Sequence, residues 1–497
     1  MRPFRVIMVA VVSLFAACAH AAAPEVTAEL SASASLLAGE AYANGQSYAL
    51  LTTLSDELGP RLSGSANYER AVRWAVDRFH AMGIASVHLE PVVLKHGWQR
   101  GSAHAVLLGA VPRVLHVAAY GWTPPTAKGG LRAPVVALRD ITDAGVTASH
   151  VAGAIVLIDR QALIGPQAFH PQGPDDYELN RLSESLDARL QASGAVAALV
   201  YSKSVNQVLR TSSLSSGGDI MRLPAASIGR EDALLILRTL TRGAVELELH
   251  LDSVVTGPVT VENVIAEIPG RDSAAEVVML GAHLDSWDLG TGAQDNGSGV
   301  AEVMDVARAL AALPHAPRRT VRVALWAAEE QGLNGSNAYV RAHAAEMQAV
   351  VAYLNTDTGA GRPLGWDVNG RRDLEPALQP LSALLARIGG SAITSDVGFD
   401  TDSGGFFLAG VPTLDLALVE DDYDPIVHHK PADTLDKVDT HDLAAATAML
   451  AVTAYALAEA PARPAPHLSR AEVEALLRGV GALEYVRSSD MKDLLPD

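Results

Sequence analysis

Val277-Val278-Met279-Leu280-Gly281-Ala282-His283-Leu284-Asp285 is the stretch on which the fold turns. Its first four residues are continuously apolar, which marks a strand buried on both faces, as in the centre of a parallel sheet. A helix follows, with Val300, Val303, Met304, Ala307 and Leu310 recurring on one face. Next come a strand at Val321–Trp326, a helix after Gly335, a strand at Val350–Leu354 and one near Thr413–Leu418. This alternation predicts an α/β fold: a three-layer αβα sandwich around a mixed, mostly parallel sheet.

Upstream, Tyr68, Val72, Ala75, Val76 and Phe79 keep helical spacing after Ser65, and Gly83 is a natural stop. The short apolar runs Val114–Ala119, Val135–Leu138 and Ala154–Ile158 read as strands. Residues 182–193 read as a helix and Ala195–Tyr201 as another strand. Residues 121–255 therefore read as a β-rich module inserted into a core domain made of 22–120 and 256–460. Residues 24–47 carry little pattern. The tail, 461–497, is interrupted by proline and opens one short helix with the capping-box pattern Ser469-Arg470-Ala471-Glu472.

The chain has 497 residues, a single cysteine and a net charge of −19. The charge argues against nucleic acid as a partner, because neutralising phosphates takes clustered Lys and Arg. One cysteine excludes an internal disulfide and any thiolate-based metal cluster. Arg2 and Arg5 precede an apolar run and the small-residue zone Ala19-His20-Ala21, the pattern of a secretory signal over residues 1–21. Cys18, after Phe15-Ala16-Ala17, offers a lipid anchor as the alternative. Either reading places the mature protein outside the cytoplasm. No other run reads as long and apolar enough to span a membrane.

His283 and Asp285 close the decisive strand. Asp295 sits in Gly292-Ala293-Gln294-Asp295-Asn296-Gly297, just before the helix at 300, where it either caps that helix or bridges two metal ions. The next strand ends in Glu329-Glu330, the next in Asp357, and His428-His429 stands far downstream. Ligands of open α/β sheets bind outside the carboxyl ends of the strands, so these groups converge on one crevice. Oxygen and imidazole donors without thiolate suit zinc, manganese or cobalt. A pair of ions needs one shared carboxylate, and a spare carboxylate is then needed to take and return a proton. Glu329, beside Glu330, is placed for that task. Gly290, Gly292 and Asp295 do not complete a dinucleotide-binding motif.

HLDSWDLGTGAQDNGSG, WAAEEQGLNGS, NTDTG, TDSGGFFLAGVP, HHKPADT and the upstream GPRLSGS together resemble metallopeptidase family 28, the co-catalytic di-zinc exopeptidases. The resemblance runs over roughly residues 45–460. It implies two Zn2+ per chain, with Mn2+ or Co2+ as substitutes. His283, Asp295 and Asp357 would hold one ion, and Asp295, Glu330 and His429 the other. Glu329 would be the general acid/base and Asp285 would orient His283. The family pattern sets the ligand His four residues before Asp-Thr, which selects His429; His428 becomes a pocket-lining or surface residue. The inserted module would be of the protease-associated type.

The activity implied is hydrolysis after an N-terminal residue, above all in unblocked dipeptides. An aminopeptidase on longer peptides, a zinc glutaminyl cyclase and a ligand-deficient binding relative are the alternatives. The implied partner is a small peptide substrate, with homodimerisation also expected from the resemblance. Arg61 reads as a helix buttress or a substrate-carboxylate ligand, Thr401 and Asp402 as pocket neighbours or a helix cap, and Trp287 and Asp288 as pocket rim or packing.

Overall fold

The computed structural model describes residues 28–159, 182–213, 218–419 and 423–496. The expected signal at 1–21 and Cys18 lie outside the described residues. Ser273–His283 is the central strand. It pairs in parallel with Arg319–Trp326 on one side and Val350–Asn355 on the other, and Thr413–Leu418 continues the parallel set. Val259–Ile268 and Ser86–Leu94 extend one edge antiparallel; Pro363–Asp367 and Ala392–Thr394 complete the other. The result is an eight-stranded mixed sheet that is parallel through its centre.

Both faces of that sheet are buried, as the unbroken apolar run requires. Val278, Leu280 and Ala282 point to one side, against helices Ser298–Ala311, Thr440–Glu459, Ala66–Ala81 and Ala28–Ala43. Val277 and Met279 point to the other, with Tyr339, Phe406, Phe407, Val473 and Leu477. Two expectations change here. Ala28–Ala43 is a helix although its sequence shows little pattern; Ala34, Leu37 and Ala41 are enough to seat it on the first face. The tail forms two helices, Arg470–Gly479 and Leu483–Ser488, which finish the second face; the capping box at Ser469 and Glu472 is formed.

Thr440–Glu459 is long and apolar enough to cross a membrane by composition, which corrects the expectation that no such run follows the N-terminus. It is mostly buried, enclosed by the sheet and neighbouring helices, and a helix that is apolar all round fits such a core position.

The second sheet also has eight strands, in the order Arg113–Leu115, Ala103–Leu108, Glu246–Leu251, Leu131–Leu138, Ile155–Asp159, Ala197–Tyr201, Ala225–Ile228, Val117–Ala119. It therefore begins at Ala103, ahead of the boundary expected at 121. The reason lies in pairing: Ser86–Leu94 and Val259–Ile268 lie side by side in full register, and Trp98–Gln99 pairs with Val254–Val255. Everything between those strands is an excursion from one antiparallel pair.

Glu302 is wholly buried in Ser298–Ala311, where its Oε2 accepts a 2.8 Å hydrogen bond from Thr356 Oγ1. Burial pushes its carboxyl up to about 8. The folded state thus holds a proton that the unfolded chain releases near its ordinary value. The resulting stability is complete below the unfolded pKa and is lost as pH rises through about 8. Glu302→Gln removes this dependence. Its unfolding free energy from urea melts, relative to the parent's, should rise progressively from pH 5 to 8, by up to about 1.4 kcal/mol per pH unit.

Candidate metal centre

Register brings the chemistry together. His283 pairs with Trp326, and Gly281 pairs with Asn355, so the three central strands end level. His283, the Glu329-Glu330 pair and Asp357 leave these ends side by side. Packing beneath them is close: a Cβ on Gly281 would stand 2.1 Å from the Tyr353 hydroxyl, so only glycine fits. Ala328, just before the glutamates, has φ +53°, left-handed backbone of a kind that persists only where its surroundings enforce it. Ser63 Oγ accepts the Ala328 N–H at 2.9 Å, which ties the upstream GPRLSGS segment to this turn.

Asp295 stands at the middle. Its Oδ1 is 3.4 Å from His283 Nε2 and its Oδ2 is 3.5 Å from His429 Nε2. His283 Nε2 is also 3.1 Å from Asp357 Oδ1, and His429 Nε2 is 3.2 Å from Glu330 Oε2. One carboxylate thus faces two imidazoles, each of which has a second carboxylate beside it. Donor atoms about 2.0–2.1 Å from a tetrahedral ion stand about 3.3 Å apart, which is the spacing seen here. Asp295 is not the cap of the helix Ser298–Ala311, and its buried Oδ2 has no hydrogen-bond partner among the described residues. These residues fit metal ions. Glu329 Oε2 is set back, 3.9 Å from His283 Nε2.

The electrostatics point the same way. Burial, with Asp295 and Glu329 nearby, pushes Glu330 well above the usual carboxylate range. Burial does the same to Glu329, with Asp357 adding to it. His283 is raised well above its ordinary value; burial opposes this, but the carboxylates of Asp357 and Glu329 outweigh it. The cluster is short of positive charge, and in water-free surroundings that deficit is met by protons or cations.

The surroundings sharpen several sequence readings. His283 Nδ1 meets the main-chain carbonyl of Asp285 at 3.0 Å, while the Asp285 carboxylate is 3.6 Å away and accepts the Glu329 N–H at 3.2 Å. Asp285 therefore links His283 to Glu329. Arg61 is completely buried, and its guanidinium donates to the main-chain carbonyls of Leu284, Thr291 and Gly292 at 2.8–2.9 Å, which makes it a buttress. Asp402 makes no capping bond to the helix Ser403–Leu408 and is buried near the site, where burial pushes it up to about 8.

Trp287 both packs and lines the site: its main-chain N–H donates to Glu330 at 3.0 Å, and its ring lies between Trp122 and His429. Asp288 holds Arg100 through two carboxylate oxygens at 2.6–3.0 Å. Asp433 was not singled out from sequence, although it lies inside HHKPADT; its carboxylate accepts the N–H groups of Gln294 and Asp295 at 2.7 and 3.3 Å. Arg100, Trp122 and Arg210 also escaped notice, because residues of the inserted excursion meet the crevice only in three dimensions.

The chain as a whole is similar to known proteins. A model described as Peptidase family M28 matches residues 263–454. Carboxypeptidase Q of Mus musculus is 31% identical over 424 residues, covering 83% of this chain and 86% of that protein. Leucine aminopeptidase 2 of Trichophyton equinum is 32% identical over 298 residues, 60% of this chain and 54% of that protein. The crystal structure of a peptidase M28 precursor from Shewanella amazonensis SB2B matches with a TM-score of 0.77 at 32% identity, covering 88% of this chain and 99% of that one. A zinc aminopeptidase from Bacillus subtilis, 23% identical with a TM-score of 0.63 over 82% of this chain and 93% of that one, shares the fold. Fold and site together define a metallo-exopeptidase. The chain belongs to peptidase family M28.

Arg61→Leu should strand at least three buried carbonyls and destabilise the protein by about 3 kcal/mol or more, read as a shift in denaturant midpoint. Unchanged stability with a raised KM would instead make Arg61 a substrate ligand.

Proposed function

We propose that this exopeptidase works with two zinc ions and releases the N-terminal residue of short peptides, above all unblocked dipeptides. The observation that carries the reading is Asp295, one oxygen toward His283 and the other toward His429. His283, Asp295 and Asp357 would hold one ion, and Asp295, Glu330 and His429 the second. When bound, zinc supplies Lewis acidity that polarises the scissile carbonyl and acidifies the attacking water. Glu329, set back from the ligand spacing, takes the proton of that water and delivers it to the leaving amine. Asp285 fixes both His283 and the Glu329 main chain. Asp433 and Arg61 hold the Asp295 loop against the strand ends.

The similarity to carboxypeptidase Q over most of both chains supports an exopeptidase, and the HLDSWD segment supports a short-peptide substrate. So does the wall that the second sheet raises beside the crevice through Trp122 and Thr211, whose N–H donates to the His429 carbonyl at 2.9 Å. We assign that sheet as a protease-associated-type module, and residues 1–21 as a secretory signal.

Glu329→Gln should keep the parent's metal content and lose at least about 10²-fold in kcat, because the proton carrier is gone while the ligands remain. His429→Ala should lower bound zinc by elemental analysis; full metal content would transfer that ligand role to His428. A free dipeptide, its C-terminal amide and a pentapeptide with the same first two residues separate the substrate classes. Cleavage of the free dipeptide alone is expected. Stepwise trimming of all three would make the enzyme a general aminopeptidase.

A further inference from the structure

We propose that Arg100 is a positioning residue for one half of the metal centre. Through Asp288 and Thr211 it holds Glu330 and His429 at ligand spacing, so the inserted sheet sets the affinity of the ion those two residues take. The ion taken by His283 and Asp357 does not depend on it. The proposal rests on the two-ion reading above.

Arg100 stands between Trp98–Gln99 and Ala103–Leu108, where the chain passes from the main sheet's antiparallel pair into the inserted sheet. Its side chain is 11% exposed, and its guanidinium lies over the Trp98 ring, 5.1 Å from the centroid. Nε and NH2 donate to the Asp288 carboxylate at 2.6–3.0 Å. NH2 also donates to Thr211 Oγ1 at 3.0 Å, and NH1 to the Ala119 carbonyl. The guanidinium is a rigid planar fork, so one side chain fixes these three groups relative to one another.

Two of these holds end next to a ligand. Asp288 follows Trp287, whose main-chain N–H donates to Glu330 Oε1 at 3.0 Å, leaving Oε2 toward His429 Nε2 at 3.2 Å. Thr211, wholly buried, donates its N–H to the His429 carbonyl at 2.9 Å. His429 needs such a tether: its φ is +61°, a left-handed backbone that a non-glycine residue keeps only where its surroundings enforce it. The Trp287 ring completes this half, edge-on to His429 at 5.8 Å. A Cβ on Gly121 would stand 2.3 Å from that ring, so the inserted sheet closes on it only with glycine there.

The other half is held from within the main domain. His283 Nδ1 meets the Asp285 carbonyl, Asn296 Nδ2 donates to the Thr356 carbonyl beside Asp357, and Asp433 accepts the N–H groups of the Asp295 loop. None of these holds comes from the inserted sheet. Groups that orient a ligand from behind change metal affinity by about 10–100-fold, and a tether on one ligand pair acts on one ion.

Zinc titration of the metal-free protein against a chromophoric chelator tests this. The parent should take up two equivalents. Arg100→Met should keep one at parental affinity and bind the other at least about tenfold more weakly. Asp288→Asn, which keeps the shape of the grip and loses its charge, should weaken the same equivalent. Arg132→Met, which removes an exposed ion pair with Glu246 on the same sheet, should bind both as the parent does. The ion concerned is identified in His429→Ala, whose remaining equivalent should not move when Arg100→Met is added. Two equivalents of parental affinity in Arg100→Met and in Asp288→Asn overturn the proposal. So does equal weakening of both ions, or a further loss in the His429→Ala background, since either makes Arg100 a support of the whole fold. A parent that takes up one equivalent or none sinks the two-ion reading and the role of Arg100 with it; the parent's stoichiometry decides the first and the variants decide the second.

Discussion

Everything in this molecule answers to one concentration of buried negative charge. Asp295, Glu329, Glu330 and Asp357 are gathered at the ends of three strands, with the imidazoles of His283 and His429 within 3.5 Å of Asp295 and that of His428 at 4.0 Å. Bringing carboxylates out of water this close together is costly unless a cation shares their oxygens. Asp295 is the pivot, since its two oxygens divide between the two histidines. The parallel strands supply the platform, and a bound cation would supply the missing charge. Metal binding and the integrity of the site would in that sense be one equilibrium.

Around the cluster the protein spends buried polar groups on holding loops rather than on substrate. Arg61 gathers carbonyls from Leu284 at the strand end and from Thr291 and Gly292 ahead of Asp295, and Asp433 receives that loop's N–H groups. Arg100 grips Asp288, and Thr211 grips the His429 carbonyl. A second sheet inserted in the middle of an antiparallel pair thereby becomes part of the crevice wall.

Much of this was legible in sequence because strand ends are legible. The run Val277–Leu280 placed a buried strand, so His283 had to emerge at its carboxyl end, and the same logic located Glu329, Glu330 and Asp357. The choice of His429 over His428 came from motif spacing; in the fold His429 Nε2 stands 3.2 Å from Glu330 and 3.5 Å from Asp295, and His428 Nε2 4.0 Å from Asp295. What escaped had no periodic or local signal. Ala28–Ala43 is nearly all small residues without a strong apolar stripe. The sheet boundary at Ala103 depends on which strand pairs with which over more than 100 residues of chain. Arg100 and Arg210 look like ordinary surface cations until the fold carries them to Asp288 and His428. Long-range pairing, unlike periodicity, is not written in neighbouring residues.

The most direct measurement is anomalous diffraction at the zinc edge from zinc-loaded protein. Two peaks about 3.5–4 Å apart, astride Asp295, are predicted. A single peak, or two peaks that do not share Asp295, would contradict the account.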